Sequence, residues 1–446
     1  MLSYRGPSAP GGVSNALTRI HQREENSLEW WYLNGNDLQR KLPRLDQTLV
    51  SIDETMRLNH YQYCNNFLWP VLHDLDQFAH YSEAERECYR RFNATVAAWL
   101  REYPSDGCFV NDYQFALIPS LLQGRERSYV FWHIPWPKHV REEHVEALTE
   151  LALGLLGASV VGFHTREYLD NFIQFVLFNL NHFEVDSEDD TIVFRPGKLS
   201  LTWTTRLVVA PLGLDASCWR ELVRRKDIES RFGKQIPFVL SVDRCDYTKG
   251  VVERLDAIDQ FFEHHPQWLQ KVYFLQIGTR SRQGLPEFDR YWQYCHERAE
   301  AIKERWATDD WQPLVWIETP KCAAELASLY ARAEVMLVNP LRDGLNLTAK
   351  EFVACRQSRP GILALSRDAG VWQELKDGCV TVEPTDSSSF ANTIVRCLEM
   401  SETEKYRRSH VLRQCLERNT LGSWWRNFTN QWRACEGSKV AEKVCS

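Results

Sequence analysis

The sequence predicts an α/β protein of two doubly wound, parallel-sheet domains, on three observations. Short apolar, β-branched runs alternate with helical patterns through both halves of the chain. At 446 residues the chain exceeds one ordinary core, and two domains of roughly 200 residues each are expected. Several apolar runs end in charged residues and glycine and pass at once into a helix, as strand ends that bind ligands do in such sheets.

Taken in order, a first strand belongs at Met1–Tyr4, either short or continued upstream of Met1. Arg5 and the stretch Ala9-Pro10-Gly11-Gly12-Val13 then read as a glycine loop ahead of a helix, able to bring backbone N–H groups close to a phosphate. Strands follow at Cys108–Val110, Tyr129–Trp132, Ser159–Phe163 and Leu207–Ala210, with a helix at Glu143–Leu156. The acidic run Asp186–Asp190 is expected as a solvated loop. A seam near Pro211–Asp215 divides an N-terminal domain, 1–215, from a second domain, 216–420. There the rhythm repeats, with strands at Pro237–Val242, Val272–Ile277, Leu314–Ile317, Val335–Val338, Ile362–Leu365 and Val380–Val382. Helices are expected at Val252–His264, Glu287–Trp306 and Ala323–Ala333. In the remaining segment, 421–446, Ser423–Cys435 carries Trp424, Trp425, Phe428 and Trp432 near helical spacing and is expected to pack across the two domains.

Composition narrows the function. With 53 Lys+Arg against 60 Asp+Glu and a net charge of −7, a protein that coats nucleic acid or an anionic membrane is disfavoured. The 13 cysteines form no C-x-x-C pair and no zinc-type cluster, which fits reduced thiols in the cytoplasm. No run of membrane-spanning or signal-peptide length is present. Walker-type, H-E-x-x-H and G-x-G-x-x-G motifs are also lacking, so nucleotide hydrolysis and hydride transfer lose support. Asp74-Leu75-Asp76 has the D-x-D form that can hold a metal-bound nucleotide sugar. It follows WPVLH in an expected helix instead of a strand end, and no metal is expected.

Two charged strand ends in the second half carry the chemistry. In SVDRCDYTKG, Arg244 and Lys249 occupy a strand-to-helix loop closed by Gly250. A planar guanidinium and a compact ammonium together suit a diphosphate. In VNPLRDGLNLTAKEF, a strand ends at Pro340, Gly344 makes the turn, and Arg342, Asp343 and Glu351 lie where helix amides meet anions or hydroxyls. In the first half, CFVNDYQ places Asp112 just beyond one strand and YVFWHIPWP places His133 at the end of the next. Such a pair can hold sugar hydroxyls or move protons.

These four stretches together resemble the trehalose-6-phosphate synthase family of retaining glycosyltransferases, from Arg5 to about Phe428. The resemblance implies a GT-B fold, two Rossmann-like domains facing a central cleft. It also implies glucose transfer from a nucleotide diphosphate glucose co-substrate to a phosphorylated acceptor, with no other cofactor and no metal. Carried over, Arg244 and Lys249 would bind the donor diphosphate, which the backbone near Gly12 would approach. Asp343 and the amides of Gly344, Leu345, Asn346 and Leu347 would hold the glucose hydroxyls, Glu351 the ribose, and His133 the donor sugar. Asp112 would face the acceptor, and Arg5, Trp69 and Arg282 would clamp its phosphate. Where the family places a phosphate-binding Tyr nine residues before the LWP tryptophan, this chain has His60 beside Tyr61, and the usual HDY is Asn111-Asp112-Tyr113. A protonated His60 would add a third cationic contact to the phosphate beside Arg5 and Arg282; otherwise Tyr61 supplies the phenol and His60 is structural.

Three readings follow. The first is trehalose-6-phosphate synthesis from glucose 6-phosphate. The second, as in the related glucosylglycerol-phosphate synthases, changes the acceptor to glycerol 3-phosphate or another phosphorylated molecule. The third is a catalytically silent sugar-phosphate-binding regulator, against which the presence of Arg244, Lys249, Asp343 and Glu351 weighs. Neither nucleic acid nor membrane is an expected partner, and a homo-oligomer stays open.

Overall fold

The computed structural model describes all residues except 8, 10, 25–26, 42–45, 104, 123–127, 181–182, 189–190, 197–203, 226–235, 358 and 445–446. Two compact units are present: Met1–Leu212 together with Leu421–Ser446, and Gly213–Thr420. The first crossing between them falls inside the expected seam. The segment from Leu421 onward groups with the first unit. Its Trp424 indole donates to the carbonyl of Ala210 at 2.9 Å, and Phe428 packs on Phe109 and Phe131. The side chain of Trp432 lies outside the described residues.

The first unit is built on ten strands: β1 (Leu2–Arg5), β2 (Trp31–Asn34), β3 (Asp37–Arg40), β4 (Gln47–Ser51), β5 (Cys108–Asn111), β6 (Ser128–Trp132), β7 (Val160–Phe163), β8 (Phe183–Glu188), β9 (Thr191–Pro196) and β10 (Thr205–Val209). Their order is β4-β3-β2-β1-β5-β6-β7-β10-β9-β8. The centre is parallel, and β5 and β6 are buried along their whole length, as a sheet covered on both faces requires. Both edges are antiparallel. Asp186–Glu188, expected in a loop, instead belong to the outermost strand, where Asp186 pairs with Val193 and Ser187 with Ile192. Charge is common on such an edge because it discourages pairing with another chain, and the apolar run of β9 supplies the partner. Residues 189–190 lie outside the described residues.

The second unit holds β11 (Phe238–Cys245), β12 (Tyr273–Arg280), β13 (Leu314–Ile317), β14 (Val335–Val338), β15 (Ile362–Ser366) and β16 (Val380–Val382). They form one parallel sheet in the order β13-β12-β11-β14-β15-β16. β11 and β12 outrun their expected ends because each pairs with the other throughout, from Phe238 opposite Tyr273 to Cys245 opposite Arg280. Arg244 therefore stands on a strand and not in the following loop. The expected helices appear at Glu142–Leu156, Val251–His264, Pro286–Trp306 and Ala323–Arg332. The Asp74-Leu75-Asp76 stretch is no helix: the helix Trp69–Leu72 has ended, Asp74 takes φ 57°, and a short 3-10 turn begins at Asp76. Among the described residues no helix is long and apolar enough to cross a membrane.

Each sheet reverses its winding once. In the second unit the chain runs outward from β11 to β13, then returns to β14 and runs the other way. In the first, β1 leads to β2 on one side and the chain re-enters at β5 on the other. Crevices beyond such reversals are where open α/β sheets bind ligands.

Candidate active site

The reversal in the second unit brings both charged stretches together. Beyond β11, Asp246 accepts from the backbone N–H and hydroxyl of Thr248 at 3.1 and 3.0 Å. Gly250 then takes a left-handed conformation, φ 63°, where an added Cβ would lie 2.4 Å from the carbonyl oxygen of Asn339. Close approach is thus reserved for glycine, and the Asn339 amide donates to the Gly250 carbonyl at 2.7 Å. Across the crevice, the backbone N–H of Leu341 bonds the Thr248 carbonyl at 2.9 Å. Asn346, at φ 79°, caps the helix Leu347–Cys355 by accepting from the N–H of Ala349.

The charges interlock. Lys249 Nζ lies 2.6 Å from Asp343 Oδ2, which also accepts from the Asn346 amide at 3.0 Å. Arg282 pairs with the buried Asp246, and Arg244 stands 3.9 Å from the same carboxylate with about a third of its side chain exposed. Burial alone would raise the Asp246 pKa, but the charges of Arg282, Arg244 and Lys249 prevail and hold it down at about 2. Beneath them the buried Arg254 donates to Asn339, Gln276 and Asp243 at 2.7, 2.9 and 2.8 Å. One turn into the helix, Glu351 Oε2 accepts from the Tyr330 hydroxyl at 3.2 Å. Arg244, Lys249, Arg282, Asp343 and Asn346 thus share one network. Cations held by carboxylates in this way can meet a diphosphate with little reorganisation.

In the first unit the groups gather at the ends of β1, β5 and β6. Arg5 is exposed at the end of β1. Gly11, at φ 134°, leads into the helix Gly12–Arg23, whose first turn carries the glycine loop; Pro10 lies outside the described residues. Asp112, at φ 70°, accepts from the backbone N–H of His133 at 3.2 Å. A non-glycine residue there is strained, and such strain gathers at functional sites. His133 is buried with its Nε2 3.1 Å from Asn111 Oδ1, and burial lowers its pKa to about 3. Trp69 packs on His73 and Tyr113. It follows a six-residue π-helix, Tyr63–Leu68, a feature frequent at functional sites.

His60 lies in the aromatic core of this unit. It is fully buried, stacked on Phe92 with ring centres 3.8 Å apart, and its Nε2 meets the Gln114 carbonyl at 3.0 Å. Burial lowers its pKa to about 4 even though the Gln114 bond opposes the shift. A protonated His60 contacting a phosphate, one of the two sequence-level alternatives, is therefore corrected to a structural histidine. Tyr61 is half-buried, its ring 6.5 Å from Tyr4.

Sequence reasoning did not single out Asp246, Arg254 or Asn339, and named Asn111 only as a departure from the resembling HDY motif. Asp246 sits inside the quoted SVDRCDYTKG, where its spacing to Thr248 signals a capped turn. Arg254 gave no signal, since an arginine on a helix normally reads as solvated. Among the described residues no cluster of three or more His, Cys, Asp or Glu could hold a metal ion.

Comparison with known proteins bears on this arrangement. The family model described as glycosyltransferase family 20 matches residues 18–434. The probable alpha,alpha-trehalose-phosphate synthase (UDP-forming) 4 of Arabidopsis thaliana is 29% identical across 96% of this chain and 56% of its own length. A bifunctional trehalose-6-phosphate synthase/phosphatase of Thermoproteus tenax is 31% identical across 88% of this chain and 54% of its own. The chain thus spans about half the length of both. A crystal structure of an alpha,alpha-trehalose-phosphate synthase (UDP-forming) from Burkholderia xenovorans, in complex with glucose-6-phosphate, superposes with a TM-score of 0.87 at 26% identity, covering 97% of this chain and 99% of that one. With its family model matched over nearly the whole sequence, the chain belongs to glycosyltransferase family 20.

Proposed function

We propose that the protein is a retaining hexosyltransferase that moves glucose from UDP-glucose to glucose 6-phosphate, giving trehalose 6-phosphate. The observation that carries this reading is the network of Arg244, Lys249 and Asp343 at the sheet reversal of the second unit, in a chain of this family. Breaking a sugar–phosphate bond builds negative charge on the departing diphosphate, and two preorganised cations stabilise it. Asp343, already oriented by Lys249 and Asn346, is suited to accept hydrogen bonds from the hydroxyls of the transferred sugar. Glu351, one turn into the helix Leu347–Cys355, is suited to the ribose.

In the first unit the neutral His133 and the strained Asp112 would act on the sugars, with Arg5 and Trp69 suited to the acceptor phosphate. The relatives named as UDP-forming support UDP as the departing nucleotide, and the glucose-6-phosphate complex of the Burkholderia protein supports the acceptor. No metal is called for, because the diphosphate charge is met by side chains.

Glycerol 3-phosphate is the competing acceptor, favoured by one observation: the buried His60 supplies no phosphate contact where the resembling motif has a tyrosine. The test mixes the chelated, dialysed protein with UDP-, ADP- and GDP-glucose and each acceptor, and identifies products by mass. Trehalose 6-phosphate from UDP-glucose is expected. Preference for glycerol 3-phosphate would transfer the assignment to the second reading, and no product with any pair would leave only sugar-phosphate binding.

A further inference from the structure

The end of β5 holds His133 in two ways. Asp112 takes its backbone N–H, as described, and Asn111 takes its ring. The Asn111 side chain is itself fixed, because its Nδ2 donates to the carbonyl of Leu2 on the neighbouring β1 at 3.1 Å. That carbonyl can only accept, so the amide nitrogen must face it and Oδ1 must face the imidazole. Oδ1 in turn can only accept, so the Nε2 it meets at 3.1 Å must carry the proton. Nδ1 is left with a lone pair, and among the described residues it has no hydrogen-bond partner although it is buried. Buried polar atoms are rarely left so unless another molecule or a role accounts for them.

We propose that Asn111 is a positioning residue whose amide, anchored on the β1 carbonyl, fixes His133 as the neutral Nε2–H tautomer, so that the ring meets a sugar hydroxyl only as an acceptor through Nδ1. The contact with a sugar rests on the proposed function; the tautomer does not. An amide does not titrate, so this arrangement is independent of pH in a way that a second imidazole at position 111 would not be. The ionisable groups seen beside His133 among the described residues are Asp112, which takes its backbone N–H, and His164 just beyond β7, whose ring centre is 5.3 Å from its own. His164 already accepts from the Leu212 N–H through Nδ1 at 3.3 Å. A hydroxyl that donates to Nδ1 keeps its oxygen lone pairs, and no proton passes to the ring.

The test is nitrogen-15 NMR of the full chain labelled in its histidines, with His133 assigned by the signals lost in His133→Gln. A protonated, pyrrole-type Nε2 and an unprotonated, pyridine-type Nδ1, unchanged from about pH 8 to pH 5.5, are expected. An Nδ1–H tautomer, or an imidazolium within that range, would overturn the proposal without any appeal to activity. Asn111→Asp gives the second readout. A carboxylate against Nε2–H favours the charged ring, so His133 should begin to titrate in this range. kcat/KM should then fall about tenfold toward low pH, the worth of one hydrogen bond, while the parent shows no such ionisation. Identical histidine signals and pH profiles in Asn111→Asp and the parent would also overturn it. A parent with the expected ring signals but no transfer activity would uphold the tautomer and strike the proposed function.

Discussion

The two sheet reversals solve the same problem by opposite means. In the second unit the side chains beyond β11 and β14 are charged and held by one another: Lys249 on Asp343, Arg282 and Arg244 about Asp246, Arg254 on Asp243. In the first unit the two histidines are held by burial and neutral hydrogen bonds, His133 on Asn111 and His60 on a backbone carbonyl. A charged network keeps its geometry only while every partner remains, since a buried charge without a partner is costly. A neutral site loses less when one member goes, but it is sensitive to acid, because protonating a buried imidazole sets burial against charge.

The largest expected effect tests the first half of that contrast. Arg254→Leu leaves Asp243 buried without its cation and Asn339 and Gln276 without their donor. It should cost roughly 3–5 kcal/mol in urea unfolding followed by a probe in the second unit. A loss under about 1 kcal/mol would mean that the network is not interdependent.

Next in size is Lys249→Ala, which should lower turnover about 100-fold, equivalent to ~2.7 kcal/mol of barrier, in protein that remains folded. Circular dichroism checks the fold and product mass the rate. Turnover within threefold of the parent would remove Lys249 from the diphosphate site.

Acid stability tests the neutral half. His60 has a pKa depressed from 6.5 to about 4, so the unfolded chain takes up its proton first. Its contribution to stability is complete above pH 6.5 and is lost as pH falls toward 4. At pH 5 the loss should be ~2 kcal/mol for this one residue. His60→Phe, which cannot titrate, should show a smaller drop in urea midpoint between pH 7 and pH 5 than the parent; an equal drop would assign the acid sensitivity elsewhere.

The smallest effect concerns the acceptor. With His60 in the aromatic core, its protonation should play no part in binding, and KM for glucose 6-phosphate should change less than about twofold between pH 7.5 and 6 in a way that His60→Tyr alters. A steep rise in KM with pH, abolished by His60→Tyr, would restore the protonated contact.

Much of this was legible in the sequence. Alternating apolar runs and helical patterns placed every strand of the parallel cores except the short β2 at its correct spot to within a few residues, because strand burial on both faces leaves a continuous apolar signature. The donor side was legible for a related reason: SVDRCDYTKG and NPLRDGLNL are local, and a strand, a turn and a helix N-terminus within ten residues leave few alternative conformations. The antiparallel edges were not legible, since Asp186–Glu188 carry the composition of a loop and become a strand only by pairing with β9.

By itself, then, the sequence determined where strands end and which charges stand there, because both follow from period and turn chemistry over a few residues. Tertiary structure alone decided which of those charges meet. Lys249 and Asp343 are 94 positions apart, and only the return of the chain to β14 beside β11 makes them partners. It decided the fate of the two histidines as well. His60 and His133 look alike in sequence, yet one is packed on Phe92 and the other is oriented by an asparagine that is anchored on Leu2, 109 positions away. Burial and hydrogen-bond partners are properties of the assembled sheet, and these set the charge of each ring.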